Sequence, residues 1–275
     1  MAIEIGRRKF IAGLGGTAAT LPLEAHAQQP TMPMIGFLSS RSPGESSGLV
    51  GAFRQGLREA GFVEGQNLAI AFRWAEGRYD RLPVLAAELV DLRVAVILAA
   101  GGSPSALAAK AATSTVPIVF SAVSAPVQLG LVASLNRPGG NLTGMGMFGS
   151  ELWAKNVELL KELVPSVAVM AYLMNPSSPS AEIYAEAAAA VSAQGLEVHV
   201  LNATTEQELH EAFAALKRLN AGGLIVPNEP FFDSQRHRIV ELAARYAIPA
   251  IYGVRAYVVD GGLLSYGASI PDVAK

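Results

Sequence analysis

The residues of this chain that could do chemistry gather where short apolar runs give way to helical spacing. Ser39 and Ser40 follow MIGFL (34–38), and Gly101, Gly102 and Ser103 follow VAVILAA (94–100). Ser121 to Ser124 run over the end of VPIVFSA (116–122), Asn175-Pro176-Ser177 follow VAVMAYLM (167–174), and Asn228-Glu229 run over the end of GGLIVPN (222–228). Such turns can grip a phosphate, activate a serine, hold another ligand or only turn the chain, and spacing separates these uses. A P-loop requires G-x-x-x-x-G-K-[ST], but Gly101-Gly102 lead into Ser103-Pro104 and Lys110 lies two turns into the following helix. A dinucleotide fold needs G-x-G-x-x-G after the first strand, where this chain has Ser39-Ser40-Arg41-Ser42-Pro43-Gly44; GMGMFG (144–149) follows the wrong element.

Nucleophilic catalysis fares no better. Ser103 is followed by Pro104, so no G-x-S-x-G elbow exists, and no histidine falls on a late strand-end loop to act as its base. His199 sits on a strand pattern and His210 and His237 on charged helix faces, without H-x-x-x-H spacing, and cysteine is absent altogether. The expectation is no metal, no cofactor and no enzymatic activity. What remains is a binding reading: in doubly wound sheets, ligands sit outside the C-terminal strand ends, where helix N-termini present unpaired N–H groups. Gly, Ser, Asn and Pro also favour such turns for backbone reasons alone, so it is their concentration at strand ends that points to a site. Tyr79, Phe231, Phe232, Tyr252 and Tyr257 lie in or beside these loops and could cover an apolar part of a ligand or simply pack.

Positioning such loops requires an α/β frame, and the chain is patterned for one. Helical spacing is predicted over Ser46 to Ala60, Asp80 to Asp91, Ser103 to Ala112 and Val127 to Leu135, each after an apolar run, so four βα units imply a parallel sheet. After the Gly-rich stretch NLTGMGM (141–147) the alternation restarts, with helices over Glu151 to Leu163, Ser180 to Gln194, Glu206 to Leu219 and Asp233 to Tyr246 between further apolar runs. Thr204 is placed to cap the helix beginning near Glu206, and Ser103 the one beginning after Gly102. This is α/β architecture in two doubly wound lobes with parallel sheets: 28–145, joined by a returning 262–275, and 146–261.

Composition agrees. Of 275 residues, 51% are hydrophobic and 16% charged, enough apolar material for two lobes, and the net charge of −2, without runs of like charge, argues against nucleic acid as a partner. At the N-terminus, Arg7, Arg8 and Lys9 precede a mildly apolar Gly/Ala-rich stretch that ends at Ala25-His26-Ala27. That order predicts a twin-arginine-like export signal over 1–27, cleaved after Ala27, and a mature protein that does not span the membrane.

Several stretches, among them IGFLSSRSP, AFRQGLREAGFVEGQNLAIAFRWAEGRYDRLPVLAAELV, GLVASLNRPGGNLTG, NPSSPSA and PFFDSQRHRIVELAARYAIPAIYG, resemble the periplasmic substrate-binding proteins of ABC importers, in the branch with tryptophan/tyrosine-type binding proteins. The resemblance implies a type I periplasmic-binding fold, a small-molecule ligand such as an amino acid or related carboxylate, an ABC permease as membrane partner and a monomeric periplasmic protein. It also implies a cleft lined by Ser39, Ser40, Gly102, Ser103, Ser121, Asn175, Asn228 and Tyr252. Two departures stand out: relatives usually carry Asp before Pro126 where this chain has Ala125, and they continue past SYG (265–267), so the chain reads as C-terminally truncated relative to the family. A ligand-sensing domain that partners a membrane sensor, or an exported α/β enzyme, are the alternatives.

Overall fold

MIGFLS (34–39) shows no alternation of polar and apolar residues because both of its faces are covered. It forms β1 (Met34–Ser39), paired in parallel with β2 (Ala69–Trp74) on one side and β3 (Val96–Ala100) on the other. Such interior parallel strands read as continuous apolar runs. The computed structural model describes residues 32–147, 152–192 and 195–267; the expected export signal and residues 268–275 lie outside them.

The first sheet is completed by β4 (Ile118–Ser124) and β5 (Leu142–Met147), in the order β2-β1-β3-β4-β5. Helix α1 (Ser47–Glu59) covers one face, where Phe37, Leu49, Val50 and Ala100 pack with Phe53, Phe72 and Trp74. On the other, α2 (Leu82–Asp91) and α3 (Ser103–Ala112) bury Leu85, Leu89, Ala106 and Ala109 against Leu38, Ile97 and Ile118. Leu89 is fully buried, so Leu89→Ala would cost about 2–5 kcal/mol.

The second sheet repeats this plan. It consists of β6 (Val169–Met174), β7 (Glu197–Asn202), β8 (Gly223–Val226), β9 (Ala250–Tyr252) and β10 (Leu264–Ser265), ordered β10-β9-β8-β6-β7 with every pairing parallel. Counted from its own first strand, this is the same 2-1-3-4-5 order as the first sheet. One face packs α4 (Trp153–Leu163) and α5 (Ala181–Ser192) through Trp153, Leu160, Tyr184 and Val191. The other packs α6 (Glu206–Arg218), α7 (Pro230–Ser234), α8 (Arg236–Arg245) and α9 (Ala256–Val259) through Phe213, Phe232, Ile239 and Tyr257. The two α/β lobes with parallel sheets are those the sequence predicts.

Local expectations fail at five places, the first three through turn and capping chemistry. Residues 127–135 form turns, not a helix: Gly130 takes φ +65°, Leu131 and Val132 N–H both return to the Pro126 carbonyl, and the Ser134 hydroxyl accepts from Arg137 N–H at 3.2 Å. Thr205, not Thr204, caps α6 in a reciprocal capping box with Glu208. The helix expected over Asp233 to Tyr246 is two helices, because the Glu229 carboxylate caps an earlier start at Pro230 and the backbone turns at Gln235. Residues 264–265 pair with β9 instead of returning to the first lobe, and the expected lobe boundary after residue 145 falls inside β5.

Candidate functional site

In each sheet the strand order reverses beside its first strand, between β1 and β3 and between β6 and β8, and the loops leaving those strands bring Arg41, Gly102, Asn175 and Asn228 to the facing edges of the two lobes. Such switch points are where open α/β sheets bind ligands. A narrow cleft, partly open to solvent, is bordered by Arg41, Gly102, Ser103, Ser180, Asn228 and Glu229, among others.

The floor of the first lobe's side is built from glycine. Gly101 and Gly102 have φ of +85° and +89°, a region disfavoured for residues with a Cβ, and a Cβ on Gly101 would stand 2.7 Å from the Ser40 hydroxyl. That close approach lets Ser40 donate to the Gly101 carbonyl at 2.6 Å, while the Ser39 hydroxyl accepts from Arg41 N–H at 3.2 Å. Ser39 and Ser40, both fully buried, therefore shape the loop and do not border the cleft. Gly102 is the residue before α3, and no side chain caps that helix. Ser103, expected as its cap, instead accepts a hydrogen bond from Ser180 of the second lobe at 3.1 Å.

Direct contacts across the cleft are numerous. Arg41 forms an ion pair with Asp233 of α7 and approaches Asn228 Oδ1 at 3.5 Å. Tyr79 donates to the Glu229 carboxylate and accepts from Phe231 N–H at 3.3 Å. Ser124 and Tyr184 hydroxyls lie 3.2 Å apart, and Asn228 Nδ2 meets Met147 Sδ at 3.5 Å. The lobes are closed on one another.

Burial sets the electrostatics. Desolvation raises the Glu229 pKa to about 7, against the opposing hydrogen bonds from Tyr79, Phe232 N–H and Asn175. Tyr79 is pushed up by burial and then by the neighbouring Glu229 charge. Burial works against the Arg41 charge, but Asp233 outweighs it and the guanidinium pKa stands above its ordinary value. Asp233 is itself raised by burial, with Arg41 opposing.

Of the expected cleft residues, Gly102, Ser103 and Asn228 border the cavity. Asn175 is buried behind it, donating to Glu229 at 3.0 Å and accepting from Ser177 N–H at 2.9 Å. Ser121 is buried beside a register shift in β4, its hydroxyl without a partner. Tyr252 belongs to the core: its ring stacks on Tyr257 at 4.5 Å, away from the cleft, and burial pushes its pKa up to about 12. Sequence reasoning missed Arg41, Ser180 and Tyr184, named Ser124 and Glu229 as loop residues without a role, and read Tyr79 only as a residue in or beside a loop. An arginine between two serines in a strand-end loop was the available signal for the first. Among the described residues no cluster of three His, Asp or Glu side chains could hold a metal, and no helix is long and apolar enough to cross a membrane.

The family model of the ABC transporter substrate binding protein matches residues 43–273. A tyrosine-binding protein of Clostridioides difficile (strain R20291) is 29% identical over 216 residues, which are 78% of this chain and 61% of that protein. The chain thus spans less than two thirds of this relative. Among solved structures, an ABC domain from Streptococcus pneumonia in complex with L-Trp has a TM-score of 0.79 at 24% identity, and the ligand-free, open structure of a substrate binding protein with adhesive properties from Clostridium difficile has 0.60 at 27%. Each comparison covers 88% of this chain and 81% of the other. These relatives are solute-binding proteins, not enzymes. With two parallel-sheet lobes meeting at their switch points and a family match over most of its length, the chain belongs to the ABC transporter substrate binding protein family.

Proposed function

We propose that the chain is the extracytoplasmic binding component of an ABC importer, capturing an amino acid between its lobes and presenting it to a membrane permease. The observation that carries this reading is Arg41, a buried guanidinium at the cleft wall beside the uncapped N-terminus of α3. Together they offer positive charge and free N–H groups to a carboxylate. Glu229, Asn228 and the cleft hydroxyls supply acceptors for an ammonium group. Relatives described as binding tyrosine and L-Trp direct the choice to aromatic amino acids.

Closure follows from the same contacts. A ligand bridging the lobes adds contacts available only when they meet, so it shifts the open and closed populations, and a permease can read that shift. Export of the chain, with residues 1–27 removed after Ala27, belongs to this proposal. A thermal-shift screen of the twenty amino acids tests it: at least one is expected to raise Tm in the wild type and to lose that effect in Arg41→Ala. No shift with any of them would overturn the reading.

A further inference from the structure

A second, narrow hollow adjoins the cleft on the side of the second lobe and is partly open to solvent. Ser124, Tyr184 and Asn228 border both spaces, so the two adjoin. Its walls are flat and apolar: Trp153 and Tyr172 lie with ring centroids 4.9 Å apart, Tyr184 follows at 6.1 Å from Tyr172, and Met147, Ile225 and Pro227 fill the gaps. No acidic or basic side chain borders it among the described residues.

Three polar atoms on these walls are buried without a hydrogen-bond partner: Trp153 Nε1, Asn156 Oδ1 and the Tyr172 hydroxyl. Their residues are 3%, 8% and 0% exposed. Trp153 and Asn156 are three apart on α4 and share a face. The Trp153 indole N–H is near enough to the Tyr172 oxygen to oppose the rise in that phenol's pKa caused first by burial, yet neither atom completes a hydrogen bond. Buried polar groups in native proteins are nearly always paired, and three unpaired ones around one hollow call for a common partner.

Their chemistry defines that partner. An indole N–H only donates, a carboxamide oxygen only accepts, and a phenol does either. A carboxylate would leave Asn156 Oδ1 unmet, an ammonium or a second indole would leave Trp153 unmet, and a bare phenyl ring would leave both. One hydroxyl serves both. We propose that Trp153, Asn156 and Tyr172 form a specificity subsite for a neutral hydroxyl on the ligand's aromatic ring. The inference rests on the amino-acid reading of the cleft above.

Calorimetric titration of the full chain with L-tyrosine, L-phenylalanine and L-tryptophan tests it. The wild type is expected to bind tyrosine about tenfold or more tighter than the other two, since a site built around a hydroxyl rejects ligands lacking one. Asn156→Leu and Tyr172→Phe should erase most of that preference while phenylalanine affinity stays within about threefold, which a merely structural role would not produce. Equal affinities in the wild type, tighter binding of tryptophan, or parallel loss of tyrosine and phenylalanine in both variants would overturn the subsite and leave the cleft reading intact. Binding of none of the three would overturn the subsite, and the screen of the twenty amino acids then decides the cleft reading separately.

Discussion

Arg41 in the loop after β1 and Asp233 in α7, 192 positions apart, form an ion pair that ties one lobe to the other in near-complete burial. The pair is held shut only while the lobes are together. It lies too deep for salt to screen it as a surface pair would be screened.

Removing one partner leaves the other charge buried, a penalty of about 3–5 kcal/mol in a structure that cannot relax. Here relaxation is available, because opening the lobes returns Arg41 to water. Asp233→Ala is therefore expected to shift the protein toward the open form, with a larger radius of gyration by small-angle scattering and ligand affinity reduced about tenfold or more. An unchanged radius and affinity would show that the pair does not govern closure.

Glu229 makes stability depend on pH in a direction opposite to most carboxylates. Its pKa is raised by burial from 4.5 to about 7, so the folded, closed state holds the proton more tightly than the unfolded chain. The stability this group contributes is complete below about pH 4.5 and is lost as pH rises through about 7, an effect on the order of 3 kcal/mol at most. Glu229→Gln, which cannot ionise, should lose less Tm than the wild type between pH 5 and pH 8 in calorimetric scans.

The neighbouring glycines differ in what they tolerate. Gly101→Ala meets both a positive φ and the Ser39 and Ser40 hydroxyls within 3 Å, whereas Gly102→Ala meets the positive φ with nothing nearer than 3.7 Å. Denaturant unfolding should show a loss of about 1–2 kcal/mol for Gly102→Ala and a larger one for Gly101→Ala.

Ala125 has φ +50°, a left-handed conformation that Asp and Asn adopt more readily than Ala. Ala125→Asn is expected to stabilise the protein by about 0.5–1 kcal/mol in the same unfolding measurement.

Local pattern carried the lobes and little of the site. Buried parallel strands such as β1 and β6 announce themselves as unbroken apolar runs, and α3 begins and ends where its Ser-Pro start and alanine spacing place it. Residues 127–135 misled because their apolar spacing is helical, while Gly130 and the Ser134 side chain compete for the backbone. Gly102, Ser103 and Asn228 could be read because strand-end position is a local property. The pairings Arg41 with Asp233, Tyr79 with Glu229 and Ser103 with Ser180 could not, since each joins residues that only the juxtaposition of two lobes brings together. Tyr252 shows the converse error: an aromatic residue at a strand end points into the core as readily as into a cleft.

The most direct test is a crystal structure of the protein soaked or grown with L-tyrosine. The account predicts the amino acid between the lobes, its carboxylate within hydrogen-bonding distance of Arg41 or the first N–H groups of α3, and its ring in the hollow beside Trp153 and Tyr172. Closed lobes with an empty cleft, or the amino acid bound on another face, would contradict it.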